Sequence, residues 1–265
     1  MVRFSKVKMV SKDYKLPLTG LFLLLVVFLS SLNSDVYSGS NQWTKSNSNI
    51  SVGSKPNSIA FGLGNIYVTN SGSDNVSVID GKTNKVVATI PVGTSPHGVV
   101  ALDSPVGGFS TIYVTNSGSN TISVIDGKTN KVVATIPVGT NPHRVALCRS
   151  KTYVTNSGSD NVSVIDGKTN KVVATIQVSH FPRGIAVAEN GFIYTTNSGS
   201  DNVSVIDGKT NKVVATIPSG YLPNGVASDE TYSKIYVTNS GSNKVSVING
   251  INNIGSPQNH YCDTK

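Results

Sequence analysis

Short apolar runs separated by polar turns recur along most of the chain. In the first unit they predict four strands, here called a to d, at residues 58–61, 66–70, 76–80 and 86–92. The segments NSGSDN and DGKTNK lie between strands b and c and between strands c and d, and they are rich in the Gly, Asn and Asp of tight turns. Apolar residues occupy both strand parities, which indicates sheets covered on both faces.

The four-strand unit is an internal repeat. Residues 74–90 recur without change at 160–176 and at 201–217. Strand b of successive units contains a tyrosine at spacings of 46, 40, 41 and 42 residues, namely Tyr67, Tyr113, Tyr153, Tyr194 and Tyr236. Four antiparallel strands at this period are typical of a propeller blade. The sequence therefore predicts an all-β fold, a β-propeller of about five four-stranded blades.

The prolines and the ends of the repeat predict how the blades are arranged. Pro91, Pro137 and Pro218 fall near the end of strand d, which places that strand at the outer edge and strand a at the central channel. The last unit stops after strand c, and the segment around Ile50 and Val52 aligns with the end of a strand d. We expect this N-terminal strand to complete the fifth blade and close the ring.

The pattern IYVTNSGSDNVSVID, followed by TNKVVATIPVG and a proline, resembles the YVTN family of β-propeller repeats over about residues 50–250. The resemblance implies an exported or surface-layer-like protein, with a looser kinship to lactonase-like and streptogramin-lyase-like propellers. Relatives often have six or seven blades, whereas this chain has material for five. A dimeric or partly open arrangement is therefore an alternative to closure.

The N-terminus predicts export. Residues 1–15 are basic, and the apolar run LFLLLVVFLS at 21–30 has the length of a signal peptide. Residues 1–34 are predicted to be a signal peptide or a helical signal anchor, followed by a linker at 35–48, the propeller at 49–254 and a C-terminal tail at 255–265. We expect a secreted or cell-surface protein that meets a membrane only through its N-terminal segment.

The net charge is a weak guide to partners. The whole chain carries +8, but residues 1–34 contribute five bases and one acid, which leaves 17 bases, 13 acids and a charge of +4. This mild excess, with no aromatic stacking residues in the loops expected at the channel mouth, disfavours nucleic acid as a partner.

Most turn residues repeat and are interpreted as structural. Asp80 and its copies Asp126, Asp166 and Asp207 end strand c and are expected to accept N–H groups of the following turn. DGKTNK has too few oxygen ligands for a calcium loop, and the lysines of this turn fit the protection of a sheet edge. No metal site or cofactor is predicted.

Non-repeating residues cluster before strand a, on the predicted top face formed by the d–a and b–c loops. The residue after the d–a proline changes from blade to blade, and His180 lies two residues before Pro182. The candidate ligand-binding residues are Asn57, His97, His143, His180, Arg183 and Asn224. Histidines from neighbouring blades could bind a metal or transfer protons, although the sequence ties no carboxylate to them.

The two cysteines suggest one disulfide. Cys148 ends a strand a on the predicted bottom face, and the tail that carries Cys262 leaves from the same face. In an exported protein a Cys148–Cys262 pair is plausible, and the alternative is a buried Cys148 with a free Cys262.

Two interpretations of function follow. The leading one is a non-enzymatic module that recognises a protein or carbohydrate ligand at the cell surface, because the blades are nearly identical and no catalytic template appears. The alternative is a lactonase-like or streptogramin-lyase-like enzyme that uses the top-face histidines, with or without a metal.

Overall fold

A computed structural model of the chain describes residues 49–103, 110–148, 150–188, 190–229 and 233–250. The chain divides into the units Met1–Asn49 and Ile50–Lys265, and only the second is described below. The apolar run at 21–30, the predicted linker at 35–48 and the predicted tail at 255–265 lie outside the described residues. Within the described ranges, no helix is long and apolar enough to span a membrane.

The described residues form five antiparallel sheets, called blades 1 to 5 in chain order. Blade 1 contains β1 Pro56–Gly62, β2 Asn65–Asn70, β3 Asn75–Asp80 and β4 Lys85–Pro91. Blade 2 contains β5 Pro96–Asp103, β6 Ser110–Asn116, β7 Thr121–Asp126 and β8 Lys131–Pro137. Blade 3 contains β9 Pro142–Cys148, β10 Lys151–Asn156, β11 Asn161–Asp166 and β12 Lys171–Gln177. Blade 4 contains β13 Pro182–Val187, β14 Phe192–Asn197, β15 Asn202–Asp207 and β16 Lys212–Pro218. Blade 5 contains β17 Pro223–Asp229, β18 Lys234–Asn239 and β19 Lys244–Asn249.

The predicted all-β blade architecture is confirmed. Strands of blades 1 to 4 pair in the order a, b, c, d and those of blade 5 in the order a, b, c, and the observed strands of blade 1 lie within two residues of the predicted ones. The a strands of successive blades pack side by side, whereas the d strands barely meet, so the blades fan outward from strand a. This places strand a on the inside and strand d on the outside, as the prolines predict.

The hydrophobic core lies between blades rather than within them. At the first junction Tyr67, Val76 and Val78 of blade 1 pack against Val99 and Ile112 of blade 2. Equivalent residues form the next three junctions. Because one sheet cannot cover its own two faces, each blade depends on its neighbours for burial.

The tyrosine of strand b is part of every internal junction. Its hydroxyl lies against the glycine that follows strand c in the next blade, as with Tyr67 against Gly127 and Tyr113 against Gly167. A Cβ on Gly127 would lie only 2.9 Å from the Tyr67 hydroxyl, so these turns require glycine for close packing rather than for its dihedral freedom.

The aspartates that end strand c stabilise the turn after it. Asp80 Oδ1 accepts the Lys82 N–H at 3.1 Å and the Thr83 N–H at 2.7 Å. The prediction that Asp80, Asp126, Asp166 and Asp207 accept turn N–H groups is confirmed in all four blades. Hydrogen bonds from Thr83 hold the pKa of Asp80 below its ordinary value.

The predicted closure of the ring is wrong for the described residues. Residues 50–52 form no strand, and blade 5 has three strands with no partner on the outer edge of β19. In the complete blades a backbone N–H just after strand d donates to the b–c turn, as Val92 does to the Asp74 carbonyl at 3.0 Å. No such bond joins the equivalent Val52 and Asn243 within the described chain. The segment does contact blade 1, where the Ser54 carbonyl accepts the Gly72 N–H at 2.9 Å.

Candidate functional site

The loops before strand a are held by the b–c turns of the two blades that they connect. The residue before each d–a proline has a positive φ, an uncommon conformation for a residue with a side chain. It is stabilised by the b–c turn of the preceding blade: Asp74 Oδ1 accepts the Ser95 N–H at 2.8 Å, and Asp201 Oδ1 accepts the Leu222 N–H at 2.9 Å. These bonds fix the point at which the chain enters strand a, and therefore the position of the next two residues.

The residue after each proline is fixed through its carbonyl. A strand-b threonine of one blade donates its hydroxyl hydrogen to that carbonyl in the next blade. Thr69 donates to His97 at 2.9 Å and Thr155 donates to Arg183 at 2.9 Å. Thr115 and Thr196 make the same bond to His143 and Asn224. The backbone supplies the anchor, so the side chain at this position is free to differ from blade to blade.

His97 and His143 are brought together by this arrangement. Their ring centroids lie 4.0 Å apart with a 36° tilt, and both side chains are half-buried. Burial lowers the pKa of His97, and the neighbouring Arg144 charge lowers it further. Burial, the adjacent His97 and then Arg144 and Arg183 lower the pKa of His143 to about 3. Both imidazoles are therefore neutral at physiological pH, and both Nδ1 atoms are buried with no hydrogen-bond partner among the described residues.

Arg144 belongs to the same cluster but was missed by the sequence analysis. It follows His143 at a position where blades 2, 4 and 5 have Gly98, Gly184 and Gly225. Its guanidinium Nη1 lies 3.4 Å from Ser58 Oγ of blade 1, so the side chain reaches across blade 2. Gly98 has no side chain to block it. Arg144 could have been singled out from the sequence, because it replaces the glycine that blades 2, 4 and 5 have at this position.

The remaining predicted residues lie at or near this mouth. Asn57, Arg183 and Asn224 are exposed at the start of strand a in blades 1, 4 and 5. His180 is also exposed, in the loop before β13, and its Nδ1 lies 2.7 Å from Asp160 Oδ2. The expectation that no carboxylate accompanies the histidines is therefore wrong for His180. We use the word mouth for Asn57, His97, His143, Arg144, Arg183 and Asn224.

The mouth has two arginines and no carboxylate. Asp74, Asp160 and Asp201, the acids of the nearby b–c turns, accept backbone N–H groups of the d–a loops. Among the residues with described positions, no group of three or more His, Cys, Asp or Glu side chains is placed to hold a metal ion. Two neutral imidazoles beside two guanidinium groups form instead an electropositive surface with planar hydrogen-bonding groups.

The predicted disulfide falls partly outside the described structure. Cys148 is buried at the end of β9, whereas Cys262 lies outside the described residues. The pairing stays a prediction.

Comparison of the sequence with protein-family models and with curated proteins gives no match. Solved structures are similar in fold. The chain resembles the hydrazine synthase of Kuenenia stuttgartiensis with a TM-score of 0.63 and 23% identity, over 74% of this chain and 59% of that one. It resembles a functionally unknown protein of Desulfotomaculum acetoxidans with a TM-score of 0.61 and 14% identity, over 75% of this chain and 70% of that one.

A third structure, the dihydro-heme d1 dehydrogenase NirN, matches with a TM-score of 0.58 and 16% identity, over 68% of this chain and 41% of that one. This chain thus spans well under two thirds of the hydrazine synthase and NirN chains that it resembles. At these identities the likeness concerns the fold alone. Together with the repeated sheets, it shows that the chain has the β-propeller fold.

Proposed function

We propose that this protein is an exported recognition module of the cell surface, and that its mouth binds an acidic group of a protein or glycan ligand. The observation that carries the proposal is the composition of the mouth, where Arg144 and Arg183 lie beside two neutral histidines and no carboxylate is present. A guanidinium group recognises carboxylate and sulfate oxygens in a planar, paired geometry. The resemblance to the YVTN repeats and the basic and apolar N-terminus support export.

The histidines suit recognition in their neutral form. A neutral imidazole adds no charge to compete with an acidic ligand for the arginines. The Nδ1 atoms of His97 and His143 are buried with no partner among the described residues, so a ligand meets the exposed parts of the half-buried rings rather than these atoms. The arginines then provide attraction, and the imidazole rings provide an uncharged surface beside them.

The test is a glycan array that pairs acidic oligosaccharides, either sialylated, sulfated or uronate-containing, with their neutral parents. We expect the full chain to bind acidic members, and Arg144→Gln with Arg183→Gln to reduce binding at least about tenfold, since hydrogen bonds to charged groups contribute about 1.5–3 kcal/mol. Lys82→Gln with Lys209→Gln is the matched control, because it removes two charges from the c–d turns. Equal binding of acidic and neutral members, or an equal loss in both variants, would contradict the proposal.

A catalytic function is the second candidate, favoured by the two adjacent neutral histidines. A neutral imidazole can act as a general base, and lactonase-like propellers are among the kin that the sequence resemblance implies. The low pKa of His143 makes it a weak base, so His97 is the better candidate. Hydrolysis of a lactone panel that is lost in His97→Gln but kept in Arg183→Gln would favour this function over recognition.

A further inference from the structure

The two ends of the blade array leave partly uncovered surfaces that correspond to the two sides of its internal junctions. We call the strand-b tyrosine and the two apolar residues of strand c the trailing face of a blade. The leading face consists of the apolar residues of strands a and b that meet the trailing face of the preceding blade. Trailing and leading faces meet four times within the chain. Blade 5 has a trailing face and blade 1 a leading face with no described blade against it.

The trailing face of blade 5 has the same residue types as the trailing faces of the other blades, but its side chains are exposed. Tyr236 is 36% exposed, whereas Tyr194 in the same position of blade 4 is 2% exposed. Val245 is 57% exposed, whereas Val203 is fully buried. Identical side chains at identical strand positions differ because no further described blade packs against blade 5. This face is therefore suited to burial.

The leading face of blade 1 is open along its inner strand. Ile59 is 68% exposed, whereas Val99 at the same position of blade 2 is 6% exposed. Phe61, two residues further along β1, is also exposed. Val68 and Ile79, farther out on this sheet, are buried, so the open area is the part of the leading face contributed by β1.

At each end of the array, one of the two groups that form the junction hydrogen bond is present without the other. In blades 1 to 4 the strand-b threonine donates to the carbonyl after the next proline. In blade 5 the bonds of the Thr238 hydroxyl stay within the blade, to Gly225. At the other end, no threonine hydroxyl of the described chain donates to the Asn57 carbonyl. One end has a threonine hydroxyl without the second acceptor that a following blade would provide, and the other end has that acceptor, the Asn57 carbonyl.

The segment at residues 49–53 corresponds in sequence to the strand d that the described part of blade 5 lacks. Residues 49–53 read NISVG and align with the end of strand d, TIPVG at 89–93. They join blade 1 as that segment joins blade 2: the Ser54 and Thr94 carbonyls accept the N–H groups of Gly72 and Gly118, both at 2.9 Å. The start of the described chain therefore has the connection of a blade junction, with no described blade before it.

We propose that blade 5 of one copy of the protein docks on blade 1 of a second copy, head to tail. In this interface Val245 and Val247 of one copy cover Ile59 of the other, and Thr238 donates to the Asn57 carbonyl of the second copy. Residues 50–52 of the second copy lie along the open edge of β19. Because each copy has one trailing and one leading face, the contact is heterologous and either closes into a ring or continues as a chain.

Sedimentation velocity of the full-length chain over a range of concentrations tests this. We expect species at multiples of the 27.8 kDa chain mass. Val245→Glu on the trailing face and Ile59→Glu on the leading face should each weaken association about 100-fold or more, because each buries a carboxylate without a partner. Thermal melting confirms that both variants fold, since both positions are exposed in the single chain. The control is Val214→Glu, which changes a similarly exposed valine, 53% exposed, on strand d of blade 4 and outside both faces. This variant should associate like the wild type.

Mixing the two face variants is the decisive experiment. Each retains one intact face, so an equimolar mixture should form a 1:1 dimer although neither variant associates alone. A wild-type chain that stays monomeric would overturn the proposal and indicate that residues 1–48 or 251–265 of the same chain cover these faces. Association that survives both single variants, or a mixture that stays monomeric, would equally overturn it.

Discussion

The mouth and the c–d turns are both held by hydrogen bonds to backbone groups, yet only one of them varies in sequence. In the c–d turn the side chain of Asp80 itself accepts the N–H groups that fix the turn. At the mouth the neighbouring blade provides the anchor, as Thr115 does by donating to the His143 carbonyl at 3.1 Å. A position fixed by its own side chain cannot change without loss, whereas one fixed by its carbonyl can. The mouth is therefore the place where a repetitive fold can acquire specificity.

The largest expected effect comes from removing a mouth anchor. Thr115 Oγ1 accepts the buried Gly98 N–H at 2.7 Å and donates to the His143 carbonyl. Thr115→Val keeps the shape and leaves both groups unpaired, so we expect a loss of about 2–3 kcal/mol in the free energy of unfolding. Thr238→Val, at the same position of the open fifth blade, should cost less than about 0.5 kcal/mol in the monomer, at concentrations too low for association, because water replaces the lost bonds. Urea denaturation measures both, and equal losses would contradict the anchoring role.

The second effect is a pH dependence that belongs to the mouth. The pKa of His97 is lowered in the folded chain and that of His143 is lowered to about 3, so below pH 6.5 the unfolded chain binds protons that the folded chain does not. Stability therefore falls as the pH decreases below 6.5, with a slope of at most about 1.4 kcal/mol per pH unit for each group. Replacing both residues by phenylalanine keeps the ring packing and should flatten the slope from pH 6.5 to 5. Urea denaturation across that range decides it, and an unchanged slope would rule out these histidines as its source.

Much of the fold could be predicted from the sequence because its determinants are local. The alternation of apolar runs and turn residues gave the strands of blade 1 to within two residues, and the terminal aspartates gave the turn bonds. Positive φ angles in these turns fall on Asp74 and Asn84 rather than on their glycines. Asn and Asp tolerate this conformation, so turn composition predicted the location but not the residue that adopts it.

The candidate site and the closure were harder to predict because they depend on relations between blades. Closure requires the first and last blades to meet, and this depends on the angle between successive sheets, which no single repeat encodes. The stacking of His97 on His143 and the reach of Arg144 to Ser58 depend on that same angle. The contact between His180 and Asp160 joins two loops 20 residues apart. Only the d–a proline, which marks the start of strand a, identified the mouth positions in advance.

The most direct measurement compares binding by two sets of substitutions on one glycan array. The first replaces the six mouth residues together with alanine, which keeps every anchored carbonyl: Asn57, His97, His143, Arg144, Arg183 and Asn224. The second replaces Lys82, Lys128, Lys168 and Lys209 of the c–d turns with alanine. We predict that both proteins fold, that the first loses binding to acidic glycans and that the second retains it. Retained binding in the first protein, or loss in the second alone, would contradict the assignment of recognition to the mouth.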